Sequence, residues 1–301
     1  MATGRGGAEL RAVDDPVPAP DQAVVSVRAV SLNRGEVRGL RSADEGWRTG
    51  WDVAGVVDAP AADGSGPAEG TRVVGLSAGS GWAERAAVPT RLMTSMPDGL
   101  AFAAAAALPV AGLTALRTLH MGGLLPGRRV LVTGASGGVG HFAVQLAAHD
   151  GAEVTAVVGR PDRGAGLDEL GASRVEVGMP DGGEFDIILE SAGGASLAAA
   201  LAMVAPQGTI VSFGNSSGEA TTFDASEFFP RSGARLCAFV LFPELERLGT
   251  AALDLAHLAD LAASGRLDPS VTLEVSWRHA DRALDALMDR QVVGKAVLLV
   301  D

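Results

Sequence analysis

Hydrophobic and polar positions follow two regimes along the chain. Over the first hundred residues, short apolar runs rich in valine, "AVVSVRAV" (23–30), "DVAGVVDA" (52–59) and "RVVGLS" (72–77), are separated by turn-rich stretches such as "ADGSGPAEG" (62–70). Branched side chains suit a pleated surface and Gly/Pro clusters end each run, so this part predicts a small β-rich barrel or sandwich. After Leu100, alanine-rich helical stretches alternate with short buried strands at 129–134, 153–159, 173–177, 185–192, 208–214 and 234–240. Helices are expected near 139–149, 195–204 and 244–264. That alternation predicts a parallel, doubly wound sheet and an α/β fold class. The tail, "VTLEVSW" through "GKAVLLVD", returns to β character and is expected to rejoin the first domain. The predicted division is 1–104 with 268–301 for the β-rich domain and 105–267 for the doubly wound one.

Composition narrows the function. With 301 residues, 47% of them hydrophobic, the chain has ample material for a large core. A net charge of −12 argues against nucleic acid, because phosphate neutralisation needs clustered Lys and Arg. The basic residues are almost all arginine, and Lys295 is the only lysine. One cysteine, Cys237, excludes an internal disulfide framework and a multi-cysteine zinc lobe, and it is read as a buried strand residue. The opening "MATGRGGAEL" lacks a signal peptide's apolar core, and the longest uncharged run (100–116) is broken by Pro109 and Gly112. A cytoplasmic protein with no membrane partner is expected.

The most informative stretch is "VLVTGASGGVGHFAVQLAAHDGAEVTAVVGR" (130–160). A buried strand runs into a glycine-rich turn, an amphipathic helix follows, and a second strand begins near Glu153. Glycines allow close backbone approach to a pyrophosphate, and a helix N-terminus offers free N–H groups and a positive dipole end. Ala135, Ser136, Gly137, Gly138, Val139 and Gly140 are the candidate phosphate-binding residues. The second strand ends at Gly159, followed by Arg160 and then Arg163, where a site selective for NAD would place a carboxylate for the ribose 2′-hydroxyl. Arginine suits a 2′-phosphate, so the predicted cofactor is NADPH.

With these residues in place, the chain resembles the zinc-free, quinone-oxidoreductase-like branch of the medium-chain dehydrogenase/reductase superfamily. The resemblance rests on "AVSLNRGEVR" (29–38), "GWDVAGVV" (50–57), "GWAERAAVP" (81–89), "AAALPVAGLTAL" (105–116), "GASGGVG" (134–140), "LGASRV" (170–175), "GTIVSFG" (208–214) and "GKAVLLV" (294–300). It implies a GroES-like β-rich catalytic domain, an inserted Rossmann domain, NADPH in the cleft between them and a homodimer. Two departures stand out. The usual opening strand before "GGAEL" is missing and the segment from Asn33 to Gly50 is short. There is also no tyrosine in the chain, so a tyrosine proton donor suggested for related polyketide enoyl reductases cannot operate.

The resemblance also locates the metal that zinc-dependent relatives carry. Their ligands are a cysteine near Asn33, a histidine at Trp51 and a second cysteine near the start of the Rossmann domain. All three are absent here, and the five histidines show no zinc-ligand spacing, so no metal is expected. Without a Lewis acid, a conjugated C=C is easier to reduce than an isolated carbonyl, because protein dipoles need only stabilise an enolate.

Candidate catalytic residues are Asn33, Glu36, Trp51 and Asp52. Asn33 stands where family members place a polar residue near the nicotinamide ribose. Glu36 is a possible proton donor or a structural acid, Asp52 a turn cap or ion-pair partner, and Trp51 a wall of the substrate cleft or core packing. Trp47 and Trp82 are weaker candidates for the same wall. Further cofactor contacts are expected from Thr114, from Ser191, Ala192 and Gly193, from Phe213, Gly214 and Asn215, and from Lys295. "EFFP" (227–230) either caps the cleft or packs. The expected function is an NADPH-dependent reductase of enones or quinones acting on a small molecule. A tailoring enzyme or cyclase that keeps the cofactor for a non-redox purpose, and a cofactor-binding scaffold, are the alternatives.

Overall fold

A computed structural model describes residues 1–4, 7–77 and 79–301. Arg5 and Gly6 of the opening stretch, and Ala78, lie outside the described residues. The chain forms two compact units, Met1–Leu113 with Leu245–Asp301, and Thr114–Glu244.

The first unit begins with β1 (Ala2–Gly4), paired antiparallel with β2 (Gly7–Glu9), so a short strand does precede "GGAEL". Then come β3 (Gln22–Ser31), helix α1 (Arg34–Ser42), β4 (Asp52–Ala59), β5 (Arg72–Leu76), β6 (Arg85–Pro89), β7 (Met93–Ser95), α2 (Phe102–Ala106) and the start of α3 (Pro109–Gly122). The second unit carries β8 (Arg129–Thr133), α4 (Gly138–His149), β9 (Glu153–Val158), β10 (Arg174–Val177), β11 (Phe185–Glu190), α5 (Gly194–Met203), β12 (Val204–Ser212), α6 (Ala225–Phe228), β13 (Arg235–Ala238) and the start of α7 (Leu241–Leu248). The first unit resumes with α8 (Ala251–Ala263), β14 (Val271–Ser276), α9 (Ala280–Met288) and β15 (Lys295–Leu299).

In the first unit the sheet order is β14-β15-β3-β4-β5-β7, with β6 also on β3. All pairs are antiparallel except β14 with β15. The tail therefore does return to the β-rich sheet. Its core gathers Val25, Val27, Val30, Leu32, Val53, Val73, Trp82, Trp277 and Leu298. Burying each large side chain of this kind is worth about 1.5–3 kcal/mol. Trp82 is wholly inside this core, so it is a packing residue and not a cleft wall.

The second unit is a six-stranded, fully parallel sheet in the order β10-β9-β8-β11-β12-β13. Numbered within the unit this is 3-2-1-4-5-6, the doubly wound dinucleotide-binding topology. Leu131, Ile188 and Ile210 of three neighbouring strands pack with Leu201 and Met203 of α5. The predicted strands all form, with ends moved by a few residues; the largest change is β12, which starts at Val204. The expected helix over 244–264 is two helices, broken at Gly249, whose φ of 68° ends α7 in the left-handed conformation that glycine adopts without strain. Cys237 is half-buried on edge strand β13, less enclosed than expected. Among the described residues, no helix is long and apolar enough to cross a membrane.

Candidate functional site

In the first unit the structure brings together Asn33, Glu36, Asp52 and Lys295. Asn33 precedes α1, Glu36 sits in that helix's first turn, Asp52 opens β4 and Lys295 opens β15. Glu36 and Asp52 are fully buried, Lys295 nearly so, and Asn33 is half-buried. The Asn33 amide joins the others: its NH2 donates to Glu36 Oε2 and to Asp52 Oδ2, each at 2.8 Å, and its Oδ1 accepts from Lys295 Nζ at 2.9 Å. That fixes the amide's orientation, since the Lys295 ammonium can only donate and so faces the oxygen.

The remaining carboxylate oxygens are met by backbone. Trp51 N–H donates to Glu36 Oε1 at 2.7 Å, and Val110 N–H, in the first turn of α3, donates to Asp52 Oδ1 at 2.8 Å. A carboxylate at a helix N-terminus is also favoured by the helix dipole. Lys295 Nζ further donates to the Leu32 carbonyl at 3.2 Å and lies 3.7 Å from Asp52. Burial pushes the Glu36 carboxyl up to about 8, helped by the charge of Asp52. Burial also raises Asp52 and lowers Lys295, their mutual attraction opposing both shifts. Enclosing two carboxyls with a single lysine therefore favours the protonated form of Glu36.

Trp51 is half-buried and lays its ring on α1: a Cβ on Gly35 would stand 3.2 Å from the ring. Trp47, two-fifths exposed, covers Gly39 one turn further on in the same way. These residues do not fit a metal. The donor set near Asn33 already holds an internal cation, Trp51 offers carbon, and no trio of His, Cys, Asp or Glu that could hold a metal ion occurs among the described residues.

In the second unit the glycine turn runs from Gly134 to Gly140 between β8 and α4. Gly134 has φ 62°, and Gly137 donates its N–H back to the Gly134 carbonyl at 2.9 Å. A Cβ on Gly140 would lie 2.4 Å from that carbonyl oxygen, so helix and turn touch backbone to backbone there. Helix α4 starts without a side-chain cap at Gly137, which leaves its first N–H groups, those of Gly138, Val139 and Gly140, to a ligand. Ala135 and Ser136 are buried beneath the turn. Arg163 Nε donates to Ser136 Oγ at 3.3 Å, which places the guanidinium at the turn's edge. Its pKa is lowered by partial burial and then by the nearby Arg160, a repulsion that a bound dianion would relieve. Arg160 is exposed, pairs with Asp162 at 3.3 Å and follows Gly159. The geometry fits a phosphorylated dinucleotide.

Thr114 is buried in α3. Ser191, Ala192 and Gly193 follow β11, and Phe213, Gly214 and Asn215 follow β12, so the two triplets are neighbours at the sheet's C-terminal edge. Ser191 and Thr133 side chains are linked there, with the Ser191 hydroxyl donating to the Thr133 carbonyl at 3.1 Å. One residue escaped the sequence reading. Glu190, the last of β11, is fully buried and accepts hydrogen bonds from the Ala192 and Gly193 N–H groups and the Ser196 hydroxyl. Its signal is an acid directly after the apolar run Ile187–Leu189 and just before "SAGG". Phe228 of "EFFP" packs partly against the second unit's core, while Phe229 is exposed.

Several known proteins resemble this chain. The family model of zinc-binding dehydrogenases matches residues 138–256. The spectinabilin polyketide synthase system protein NorB of Streptomyces orinoci is 38% identical over 291 residues, covering 93% of this chain and 13% of that protein. The chain thus spans about an eighth of that relative's length. The chloroplast envelope quinone oxidoreductase homolog of Arabidopsis thaliana is 28% identical over 98% of this chain and 95% of its own length. The quinone oxidoreductase of Thermus thermophilus, solved alone and with NADPH, superposes with a TM-score of 0.83 at 28% identity, over 98% of this chain and 97% of that one. The 3-2-1-4-5-6 sheet and the glycine turn accompany a likeness, over nearly the whole of this chain, to the Arabidopsis quinone oxidoreductase homolog and the Thermus quinone oxidoreductase.

Proposed function

We propose that the chain is an NADPH-dependent reductase that reduces an α,β-unsaturated carbonyl or a quinone. The observation that carries this reading is the uncapped start of α4 beside the Ser136–Arg163 corner. That pairing offers backbone N–H groups to a pyrophosphate and a guanidinium to a 2′-phosphate. The Thermus thermophilus neighbour, solved with NADPH, supports it.

When bound, NADPH supplies the hydride. In this reading Gly137 to Gly140 hold the pyrophosphate, and Ser136, Arg160 and Arg163, next to Gly159, hold the 2′-phosphate. Ala135 seats the turn against β9 through its N–H, which donates to Val157 at 3.0 Å. Thr114, Ser191 to Gly193 and Phe213 to Asn215 shape the place of the nicotinamide half. Asn33, Glu36, Trp51 and Asp52 are the proposed catalytic group. Asn33 and Trp51, being half-buried, are the members a substrate can touch. Glu36 keeps a proton on its carboxyl near neutral pH, and Lys295 balances Asp52 and orients Asn33. The proposed location is the cytoplasm and the proposed assembly a homodimer, whose mass light scattering on the purified chain reads directly.

The deciding experiment titrates NADPH by fluorescence and then follows its absorbance with quinones, enals and cyclic enones. Binding followed by oxidation with at least one class supports the reading. Binding with no oxidation across the panel leaves a scaffold or a non-redox cyclase. No binding removes the cofactor reading altogether.

A further inference from the structure

Glu190 is fully buried at the C-terminal end of β11. Its carboxylate accepts from Ala192 N–H at 2.8 Å, from Gly193 N–H at 3.0 and 3.1 Å on its two oxygens, and from the Ser196 hydroxyl at 2.9 Å. The Thr133 hydroxyl, at the end of β8, lies 3.5 Å away. A carboxylate buried among several donors is held firmly, and removing it strands those donors away from water.

The two backbone donors belong to the turn Ser191–Gly194, where Gly193 and Gly194 have φ of 73° and 52°, and Ser196 lies in the first turn of α5 that follows. That turn is stitched to the next one along the sheet. Ser216 N–H donates to the Ser191 carbonyl at 3.1 Å, and Ser217 N–H to the Ala192 carbonyl at 2.8 Å. Phe213 N–H donates to the Glu190 carbonyl at 2.9 Å. A Cβ on Gly193 would meet Asn215 Oδ1 at 2.4 Å, and one on Gly214 would meet the Ser191 carbonyl oxygen at 2.8 Å. The turns closing β11 and β12 are therefore one piece, and the Glu190 side chain is its base.

The sheet order gives this piece a place relative to a dinucleotide. The phosphate turn follows β8, Arg160 and Arg163 follow β9 on one side, and the paired turns follow β11 and β12 on the other. A dinucleotide whose 2′-phosphate lies at the arginines extends its second nucleoside across β11 and β12. We propose that Glu190 is a positioning residue for the nicotinamide half of the cofactor, holding the turns at 191–194 and 213–217 in the shape that half binds. This rests on the NADPH reading above.

The test compares NADPH with adenosine 2′,5′-bisphosphate, which carries both phosphates of the adenosine half and lacks the nicotinamide half. In the full chain, Glu190→Gln turns an amide NH2 toward donors that need an acceptor. The expected result is a rise of about tenfold in the Kd for NADPH, while the Kd for the bisphosphate stays within about twofold. Glu190→Asp, which keeps two acceptor oxygens, recovers part of the NADPH affinity. Equal losses for both ligands, or unchanged NADPH binding, overturn the proposal. If Glu190→Gln does not fold, Ser196→Ala removes a single donor and gives the same comparison, with an expected loss of about threefold for NADPH alone. A wild-type chain that binds neither ligand sinks the cofactor reading, and this proposal with it.

Discussion

Lys295 places its ammonium 2.9 Å from Oδ1 of Asn33, across 262 residues of sequence. The chain's only lysine is thus spent inside the protein, where it orients an amide and faces Asp52 at 3.7 Å. A lysine is seldom buried unless paired, and here the pairing joins the end of β3 to the starts of β15 and β4.

Lys295→Met tests that internal cation. The substitution keeps the stem and removes the charge, leaving Asp52 buried without its ion-pair partner. Breaking a buried pair from one side costs about 3–5 kcal/mol. Urea denaturation is expected to show a loss of that order, and a loss below about 1 kcal/mol would mean that Lys295 contributes little to holding the cluster.

Glu36 gives the cluster a pH dependence of known sign. Its folded pKa, about 8, stands above the unfolded value of 4.5, so the folded state binds the extra proton between those limits. Stability from this group is full below about pH 4.5 and is lost as pH rises toward 8, by at most about 1.4 kcal/mol per unit. The raised pKa of Asp52 acts in the same direction and the lowered one of Lys295 in the opposite direction. The difference in Tm between wild type and Glu36→Gln isolates Glu36, and it should move in favour of the variant from pH 5 to 8. A difference that stays flat across that range would show Glu36 titrating normally.

Arg163→Ala tests the choice of cofactor. Charge-assisted hydrogen bonds to a phosphate are worth about 1.5–3 kcal/mol, so the Kd for NADPH should rise by about 10- to 100-fold. NADH has no 2′-phosphate, and its Kd should change by less than about threefold. Isothermal titration with both cofactors reads this directly. A parallel loss for NADH would make Arg163 a support for the Ser136 turn and not a phosphate reader.

The two halves of the candidate site were legible to different degrees, for a physical reason. The glycine turn at 134–140 declares itself because its chemistry is local: strand, turn and helix lie within thirty residues, and only glycine fits the close approaches. The cluster around Asn33 does not, because Asp52 is 19 residues away and Lys295 far beyond, joined only by the sheet order β15-β3-β4. In the sequence each of these residues stands alone, and their mutual hydrogen bonds leave no local pattern. The alanine-rich pattern at 244–264 hid a break at Gly249, since apolar periodicity continues across it. Helices α1 and α9 went unread because the strand runs beside them dominated the pattern.

The glycines of the turn divide into two roles, and a pair of variants separates them. At Gly140 an added Cβ would lie 2.4 Å from the Gly134 carbonyl oxygen and 2.6 Å from the Ala135 Cα, both backbone atoms of a tight turn. Neither can yield without moving α4 off β8, so Gly140→Ala should cost about 1–3 kcal/mol, seen as a lower Tm. At Gly137 the nearest atom to an added Cβ is the same carbonyl at 3.3 Å, and φ is −91°, a value alanine accepts. Gly137→Ala should therefore keep its stability within about 0.5 kcal/mol. Its methyl group would stand at the uncapped start of α4, where the pyrophosphate must come close, so NADPH affinity should fall by about tenfold or more. A stable Gly137→Ala that binds NADPH like wild type would place the pyrophosphate elsewhere than on this turn.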